Sequence, residues 1–431
     1  MQGYKDSGIE WIGSIPEEWN IGRMKYITDI IMGQSPESFQ IRDDEGRYLF
    51  MQGNSEFGDK YPKAYKYCDN PKKISRANDI LMSVRAPVGA LNISDVAYGI
   101  GRGLCSISAI NIDKNYFWFF LNKSKDDFQF FSNGSTFEAI TIESLANFPI
   151  LIPGREQQQI ADFLDEECGK IDRITKKIER QIEILKEYKK SLIAETVTKG
   201  LNKNVKMKDS GVEWIGKIPI DWEIKKIKHL ATEPNTLFID GDWIESKDIS
   251  ESGIRYLTSG NVGEGEFKRQ GEGYISEETF EKLKCLSVYP GDLMISRLNL
   301  PIGRTCIVPE DNAIYVVAVD NVILRPNKNC NKKYLMYVMN TNGYSNEAEI
   351  ISRGTTMKRI SRTLLGEMKV CTPSLEEQQL IADYLNQKCS EIDLILSKKA
   401  NQLDIIKEHK KSLIYEYVTG KKRVGGIENG D

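Results

Sequence analysis

The sequence predicts an α/β protein of mixed α+β type, with two tandem domains that contain twisted sheets and two long antiparallel coiled-coil helices that separate them. Residues 5–13 (KDSGIEWIG) return almost unchanged as residues 208–216, and residues 160–164 (IADFL) return as residues 381–385. Two phrases repeated in the same order indicate a tandem duplication with a period near half the chain. Such a duplication predicts a molecule with a pseudo-two-fold axis.

The repeats divide the chain into four segments. We expect an N-terminal signature and first globular domain over residues 1–153, followed by a central helix over residues 154–203. A second signature and globular domain should occupy residues 204–374, and a second helix with a tail should occupy residues 375–431. Within the globular segments, short β-branched apolar runs bounded by turn residues are typical of strands.

The two segments without proline and with almost no glycine are predicted to be helices. Apolar residues recur in the first at steps of three or four, namely Ile171, Ile174, Ile178, Ile182, Leu185, Tyr188 and Leu192. The second segment repeats the stripe at Ile392, Ile395, Leu403, Ile406, His409 and Leu413, and Lys399 interrupts it. This spacing predicts a coiled coil, and two unrelated surface helices would not repeat it in register. If the domains lie at opposite ends, the helices must run antiparallel.

Composition excludes several classes of protein. The net charge is -3, so any basic surface must be local. No apolar window reaches transmembrane length, and we expect a cytoplasmic protein without membrane contact. The 8 cysteines form no C-x-x-C pair and only two histidines exist, which argues against a zinc site. Residues 211–217 approach a phosphate-binding loop, but Ile218 replaces the required hydroxyl, so no cofactor is expected on this chain.

The motifs S-G-x-E-W-I-G-x-I-P, E-Q-Q-x-I-A-D-[FY]-L and G-[ST]-T each occur twice and in order. They resemble those of type I restriction–modification specificity subunits over essentially the full length. The resemblance implies that each target-recognition domain reads one half of a bipartite, asymmetric DNA site. It also implies that the helices set the spacing and dock two modification subunits, which methylate adenine with S-adenosylmethionine.

Further partners implied by the resemblance are restriction subunits that translocate and cleave double-stranded DNA with ATP and magnesium. The chain itself would then be a non-catalytic subunit. The alternative is a two-domain protein-interaction scaffold without DNA recognition, which the near-neutral charge slightly favours.

Candidate DNA-binding residues come from basic and hydroxyl side chains near glycines and strand ends. They are Arg85, Arg102, Ser135, Thr136, Asn261, Arg297, Arg304, Thr355, Thr356, Lys358, Arg359 and Arg362. Arginine grips phosphates or guanine, asparagine reads adenine, and hydroxyls suit phosphate oxygens. The basic cluster from Lys358 to Arg362 strengthens the second copy over the first.

Each candidate has a structural alternative. Arg85 and Arg297, which follow equivalent apolar runs, could be surface or salt-bridged arginines. A turning backbone is the preferred interpretation of Arg102, Arg304 and Asn261, and the hydroxyls after each Gly could cap their own turns. The four tryptophans of the signatures, Trp11, Trp19, Trp214 and Trp222, are better explained by packing than by base stacking, because both copies match.

Overall fold

The structure is a computed structural model that describes residues 3–125, 127–130, 139–312, 314–354 and 357–425. The chain folds as two compact units. The first unit comprises Met1–Glu179 with Asn401–Asp431, and the second comprises Arg180–Ala400. Each long helix therefore contributes one part to each unit.

The first unit contains two sheets, a hairpin and a two-stranded ribbon. Its strands are β1 (Tyr4–Asp6), β2 (Ser14–Pro16), β3 (Asn20–Arg23), β4 (Thr28–Met32), β5 (Tyr48–Met51), β6 (Lys66–Cys68), β7 (Ile80–Ser83), β8 (Leu91–Ile93), β9 (Tyr98–Ile100), β10 (Leu104–Ala109) and β11 (Pro149–Ile152). The antiparallel four-stranded sheet has the order β4-β10-β7-β8. A three-stranded sheet, β6-β5-β9, pairs β5 and β9 in parallel. The signature forms the hairpin β1-β2, and β3 pairs with β11.

Helices cover this framework. They are α1 (Met24–Ile27), α2 (Lys114–Lys123), α3 (Asp127–Phe130), α4 (Ile142–Ala146) and the long α5 (Gln157–Lys199). Asp113 caps α2 by accepting a hydrogen bond from the Tyr116 N–H at 2.8 Å, as expected for an N-cap aspartate. The fully buried Tyr116 then donates its hydroxyl to the carbonyls of Leu151 and Val418, and Tyr334 repeats both kinds of bond in the second unit.

The second unit has the same architecture. Its strands are β12 (Met207–Asp209), β13 (Lys217–Pro219), β14 (Glu223–Lys226), β15 (Leu237–Asp240), β16 (Ile254–Leu257), β17 (Tyr274–Ile275), β18 (Leu293–Ser296), β19 (Thr305–Ile307), β20 (Tyr315–Val317), β21 (Asn321–Arg325) and β22 (Lys369–Thr372). Its helices are α6 (Glu277–Leu283), α7 (Lys332–Val338), α8 (Asn342–Ile350), α9 (Arg362–Glu367) and the long α10 (Leu375–Val418). The sheets β15-β21-β18-β19 and β17-β16-β20 match those of the first unit strand for strand. Mixed α+β structure in two tandem domains is therefore confirmed.

The long helices pack antiparallel within each unit. In the first unit, the Phe163 and Tyr417 rings lie 4.4 Å apart, and farther along the pair Lys410 lies 2.5 Å from Asp172. Residue numbers thus rise along α5 as they fall along α10. In the second unit Lys189 of α5 pairs with Asp393 of α10 at 2.6 Å. The predicted pair of long antiparallel helices is confirmed.

The seam of the helix pair differs from the predicted stripe at two positions in each helix. Ile178 is buried as expected, but Ile174 is 47% exposed and Tyr188 is 55% exposed. Thr175 and Lys189 are the half-buried residues at those places. A seam that alternates steps of four and three residues selects Thr175 over Ile174. α10 shows the same shift, since Ile395 and His409 are exposed. The residues that follow them, Leu396 and Lys410, are half-buried.

Among the residues that the structure describes, no helix is both long and apolar enough to cross a membrane.

Candidate nucleic-acid interface

The candidate residues that the structure describes gather at one edge of the four-stranded sheet in each unit. In the first unit β4 and β7 end at this edge, and β10 begins there, because β10 runs antiparallel to both. The same edge of the second unit collects the ends of β15 and β18 and the start of β21. We call it the loop edge. Loops at a rigid sheet edge are common sites of recognition.

The two arginines that the sequence placed after equivalent strands do not occupy equivalent positions. Arg297 N–H bonds the carbonyl of Asp320 at 2.9 Å, and the residue that makes this bond in the first unit is Val84, to Gly103. Arg85 instead matches Leu298, since each forms the isolated bridge to the strand-like segment beyond it. Successive side chains of an extended chain point to opposite sides. Arg85 is therefore exposed, whereas Arg297 is only 6% exposed.

Arg297 belongs to a network of ion pairs that holds the second loop edge together. Its guanidinium lies 3.2 Å from Oδ1 of Asp240 and donates to the carbonyl of Val319. Arg362 also pairs with Asp240 at 3.1 Å. Burial lowers the pKa of Arg297, and the neighbouring Asp240 opposes that shift. The burial and pairing of Arg297 favour the structural alternative for this residue.

Arg359 and Arg362 retain exposed surface while they pair with acids. Arg359 lies 3.0 Å from Asp320, and Arg362 donates a further bond of 3.0 Å to the carbonyl of Phe238. Lys358 pairs with Glu349. These cations are held in place by partners yet still reach solvent. This arrangement suits contacts with phosphate oxygens.

Arg304 and Asn261 act inside their own loops. The Arg304 guanidinium donates to five backbone carbonyls, those of Ser259, Val262, Leu298, Asn299 and Pro301, at 2.9–3.2 Å. Burial lowers the pKa of Arg304. The Asn261 amide, which is 2% exposed, donates to the carbonyls of Lys268 and Gln270. Both side chains direct hydrogen bonds to backbone carbonyls of their own loops, and the turn interpretation fits both.

Arg102, like Arg85, is an exposed candidate residue of the first unit. It lies between Gly101 and Gly103 in the turn that links β9 to β10, and its side chain is exposed. The remaining candidates, Ser135, Thr136, Thr355 and Thr356, lie outside the described residues.

The loop edges of the two units differ in chemistry. The positions of Asp240, Arg297, Asp320, Arg359 and Arg362 correspond in the first unit, through the strand pairings, to Met32, Val84, Gly103, Ala139 and Ile142. An ion-pair network in one unit is therefore replaced by uncharged residues in the other. Two surfaces of one fold with different chemistry are suited to different ligands.

A basic and aromatic surface in the first unit was missed by the sequence analysis. Residues 60–67, KYPKAYKY, carry exposed Lys60, Lys63, Tyr61 and Tyr65, and Lys66 Nζ lies 5.6 Å from the centroid of the Tyr65 ring. Lysines attract phosphates, and exposed aromatic rings stack on bases. We call this stretch the lysine–tyrosine segment. The alternation of lysine and tyrosine over residues 60–67 is visible in the sequence and could have identified this surface.

Within the described part of the chain, no group of three or more His, Cys, Asp or Glu side chains is arranged to hold a metal ion.

Comparison with known proteins identifies relatives along the whole chain. A family model described as the type I restriction modification DNA specificity domain matches residues 16–184 and again residues 219–404. The chain is 26% identical to the type I restriction enzyme MjaVIII specificity subunit of Methanocaldococcus jannaschii, over 99% of both chains. It is 36% identical to the putative type I restriction enzyme MjaX specificity subunit of that organism, over 41% of this chain and 42% of the relative.

Solved structures share the fold. One chain, from a study of complex assembly and conformational transition of the type I R-M system, aligns with a TM-score of 0.74 at 16% identity, covering 95% of this chain and 99% of that one. The HsdS subunit from Thermoanaerobacter tengcongensis aligns with a TM-score of 0.52 at 14% identity, covering 97% of this chain and 100% of that one. At these identities the likeness concerns the fold alone.

Proposed function

We propose, because the chain belongs to the family of type I restriction–modification DNA specificity subunits, that each of its two units reads one half of a bipartite, asymmetric DNA site. The chain is the DNA specificity subunit of such a system and is itself non-catalytic. The observation that carries the two-half proposal is the contrast between the loop edges. One framework occurs twice, with an ion-pair network in one copy and uncharged residues in the other.

The functional parts follow the four segments of the sequence. Residues 1–153 and 204–374 would each recognise DNA, and residues 154–203 and 375–431 would form the spacer. Arg85, Arg102, Arg359 and Arg362 are the candidate side chains that remain accessible, and the lysine–tyrosine segment adds phosphate contacts in the first unit. Further candidate DNA contacts are Ser135, Thr136, Thr355, Thr356 and Lys358. Arg297, Arg304 and Asn261 would support the loops that make the contacts.

The proposed partners are double-stranded DNA and the other subunits of the complex. Two modification subunits would dock on the paired helices and methylate adenine with S-adenosylmethionine. Restriction subunits would translocate and cleave DNA with ATP and magnesium. The system would act in the cytoplasm, and this chain would hold no cofactor. α5 and α10, of 43 and 44 residues, would set the spacing between the two half-sites.

Exchange of one recognition domain tests the proposal. Residues 23–150 are replaced by the corresponding region of a relative with a different target, and the methylated motif is sequenced from cells that carry the variant. Only one half-site should change, with the spacing retained, because the second domain and both helices are untouched. A change in both half-sites would contradict the division of labour. Exchange of residues 226–369 is the matched control and should change the other half-site alone.

A further inference from the structure

Three turns meet at the loop edge of each unit, and the same three backbone hydrogen bonds hold them. Each bond runs from an N–H just after a strand end, or in the turn before the next strand, to a carbonyl of a neighbouring segment, at 2.7–2.9 Å. The donor–acceptor pairs are Gly33–Leu104, Gln34–Ile100 and Gly101–Met51 in the first unit, and Gly241–Asn321, Asp242–Val317 and Ala318–Leu257 in the second. The backbone framework of this edge is thus common to both units.

Glycine is required at one point of this framework. A Cβ atom on Gly33 would lie 2.1 Å from the carbonyl oxygen of Gly101, and one on Gly241 would lie 2.2 Å from that of Val317. Both oxygens belong to the backbone, which cannot move aside as a flexible side chain can. The close approach of two backbone segments therefore explains glycine in both copies.

The hydrogen bonds also define which side chains are equivalent at the tips of the turns. In the first unit these bonds join Gln34, Met51 and Gly101 to their neighbours. The residues that directly follow those three in the chain are Ser35, Gln52 and Arg102. The matching residues of the second unit are Trp243, Thr258 and Val319. We call these the tip triplets. All three positions hold a different residue in the second unit, although the backbone that carries them is shared.

The first tip triplet forms a hydrogen-bonding cleft. Nε2 of Gln52 donates to Oγ of Ser35 at 2.7 Å, which fixes the exposed amide, and the Arg102 N–H points to the same hydroxyl oxygen at 3.4 Å. The three side chains line an open cavity of about 490 Å³, and Lys66 of the lysine–tyrosine segment lines it as well. Amide and guanidinium groups at one cleft match the hydrogen-bonding edges of purines.

The second tip triplet is mainly apolar. Trp243 is 70% exposed, and Val319 is half-buried with its carbonyl bonded to Arg297. The Thr258 hydroxyl accepts from the N–H of Gly260 at 3.3 Å, so part of its polar capacity is used locally. An exposed indole beside a valine offers apolar surface, which is the chemistry that contacts the methyl group of thymine.

We propose that the tip triplets determine the bases that each unit reads. Gln52 would recognise adenine through N6 and N7, and Arg102 an adjacent guanine through O6 and N7, whereas Trp243 would contact a thymine methyl. The inference rests on the proposed function. Its basis is that the backbone hydrogen bonds and the close-packed glycines match between the copies, whereas the side chains at the tips of the shared turns differ.

The test uses the full chain in complex with its modification subunits and a library of DNA duplexes with randomised bases. Gln52→Glu keeps the shape of the side chain and can still accept from the Ser35 hydroxyl, which lies 3.0 Å from Oε1 of Gln52, but it removes the amide N–H donor. Selection with this variant should lose about 10- to 100-fold in preference for adenine at one base pair of one half-site. Arg102→Gln should do the same for a guanine, and Trp243→Ala should alter only the other half-site.

Arg155→Ala is the matched control, because it removes an exposed arginine outside the loop edge and should leave the selected motif unchanged. Thermal unfolding of each variant separates misfolding from lost recognition, and the shape-preserving Gln52→Glu remains informative if another variant unfolds. A wild-type complex that selects no motif would refute the proposed function and the triplets with it. A wild-type motif that all three variants reproduce, or a uniform loss of affinity without altered preference, would overturn the triplets alone.

Discussion

The indole N–H of Trp222 donates a hydrogen bond of 2.9 Å to Oε2 of Glu377. Trp222 lies in the second signature and is 1% exposed, and Glu377 lies in the first turn of α10. In the first unit Trp19 approaches Glu156 at 3.4 Å in the same way. The duplicated signature therefore fixes the start of each long helix to its own domain, which explains why this tryptophan and this glutamate recur in the second copy.

Glu377→Ala should destabilise the second unit by about 1–3 kcal/mol, because it leaves the buried indole N–H without an acceptor. Chemical unfolding of the purified chain measures the change. The control is Glu376→Ala, which removes the neighbouring exposed carboxylate of the same helix turn. Equal effects of the two substitutions would show that the indole bond contributes nothing specific.

The buried aspartates that immediately precede β7 and β18 have different partners, and this difference predicts unequal costs of substitution. Asp292 pairs with Arg325 at 2.6 Å, whereas Asp79 accepts from the hydroxyls of Ser106 and Ser108 at 2.5 and 2.6 Å. Arg325→Met should cost about 3–5 kcal/mol, because an unpaired carboxylate remains buried. Ser108→Ala should cost less, about 1.5 kcal/mol, because the Asp79 carboxyl keeps its hydrogen bonds from the Ser106 hydroxyl and the Arg76 N–H.

The control for Arg325→Met is the same substitution at Arg42, whose pair with Asp69 is largely exposed. That variant should lose less than about 1 kcal/mol in urea unfolding. If both arginine variants unfolded at the same urea concentration, burial of Asp292 would not be the cause of the larger cost.

Glu347 predicts a pH dependence of stability. Burial raises its pKa above the ordinary value of 4.5, and Lys369 nearby only partly opposes this shift. Below pH 4.5 the carboxyl is protonated in both folded and unfolded chains. As pH rises through the folded pKa, the folded state loses stability, because it must hold the charge in a less polar site. Glu347→Gln should therefore raise the unfolding midpoint at pH 7 and have little effect near pH 4.

Thermal unfolding between pH 4 and pH 8 tests this expectation, with the exposed Glu278→Gln as the control. A gain that is equally large at pH 4 would assign the effect to something other than ionisation of Glu347.

Arg297→Ala should lower the stability of the second unit by about 1–3 kcal/mol and leave the selected bases unchanged, because the guanidinium is buried against Asp240 and the Val319 carbonyl. Arg85→Ala should leave stability nearly unchanged, since that side chain is exposed. Thermal unfolding and selection from randomised duplexes measure the two properties separately. If Arg297→Ala changed the preferred base, Arg297 would have to contact DNA bases directly.

The lysine–tyrosine segment predicts part of the salt dependence of DNA binding. If Lys60 and Lys63 contact phosphates, changing both to Gln should weaken binding to all sequences alike. The slope of log affinity against log salt should become shallower by about two. Lys203→Gln with Lys206→Gln removes the same charge from an exposed loop and should leave the slope unchanged. An unaltered slope in the Lys60 and Lys63 variant would exclude phosphate contact by this segment.

The sequence by itself determined the duplication, the order of domains and helices, and the family, because repeated motifs and helical periodicity are properties of the chain alone. It also placed Arg85 and Arg297 just beyond the ends of equivalent strands. It could not assign burial to them. Asn299, with φ of 61°, is an additional residue of the second copy. A sequence match alone does not decide whether Arg85 is equivalent to Arg297 or to Leu298 of the second copy.

Only the tertiary structure decided these alternatives. Hydrogen bonds from Val84 and Arg297 to equivalent carbonyls set the register, and a shift of one residue along an extended chain exchanges the buried side for the exposed one. The helix seam was decided in the same way. Ile174 and Thr175 both satisfy a spacing of three or four, but packing against a second helix requires steps of four and three in alternation, which buries Thr175. Local patterns fix the type of element, and contacts between distant segments fix which side chains are free to bind.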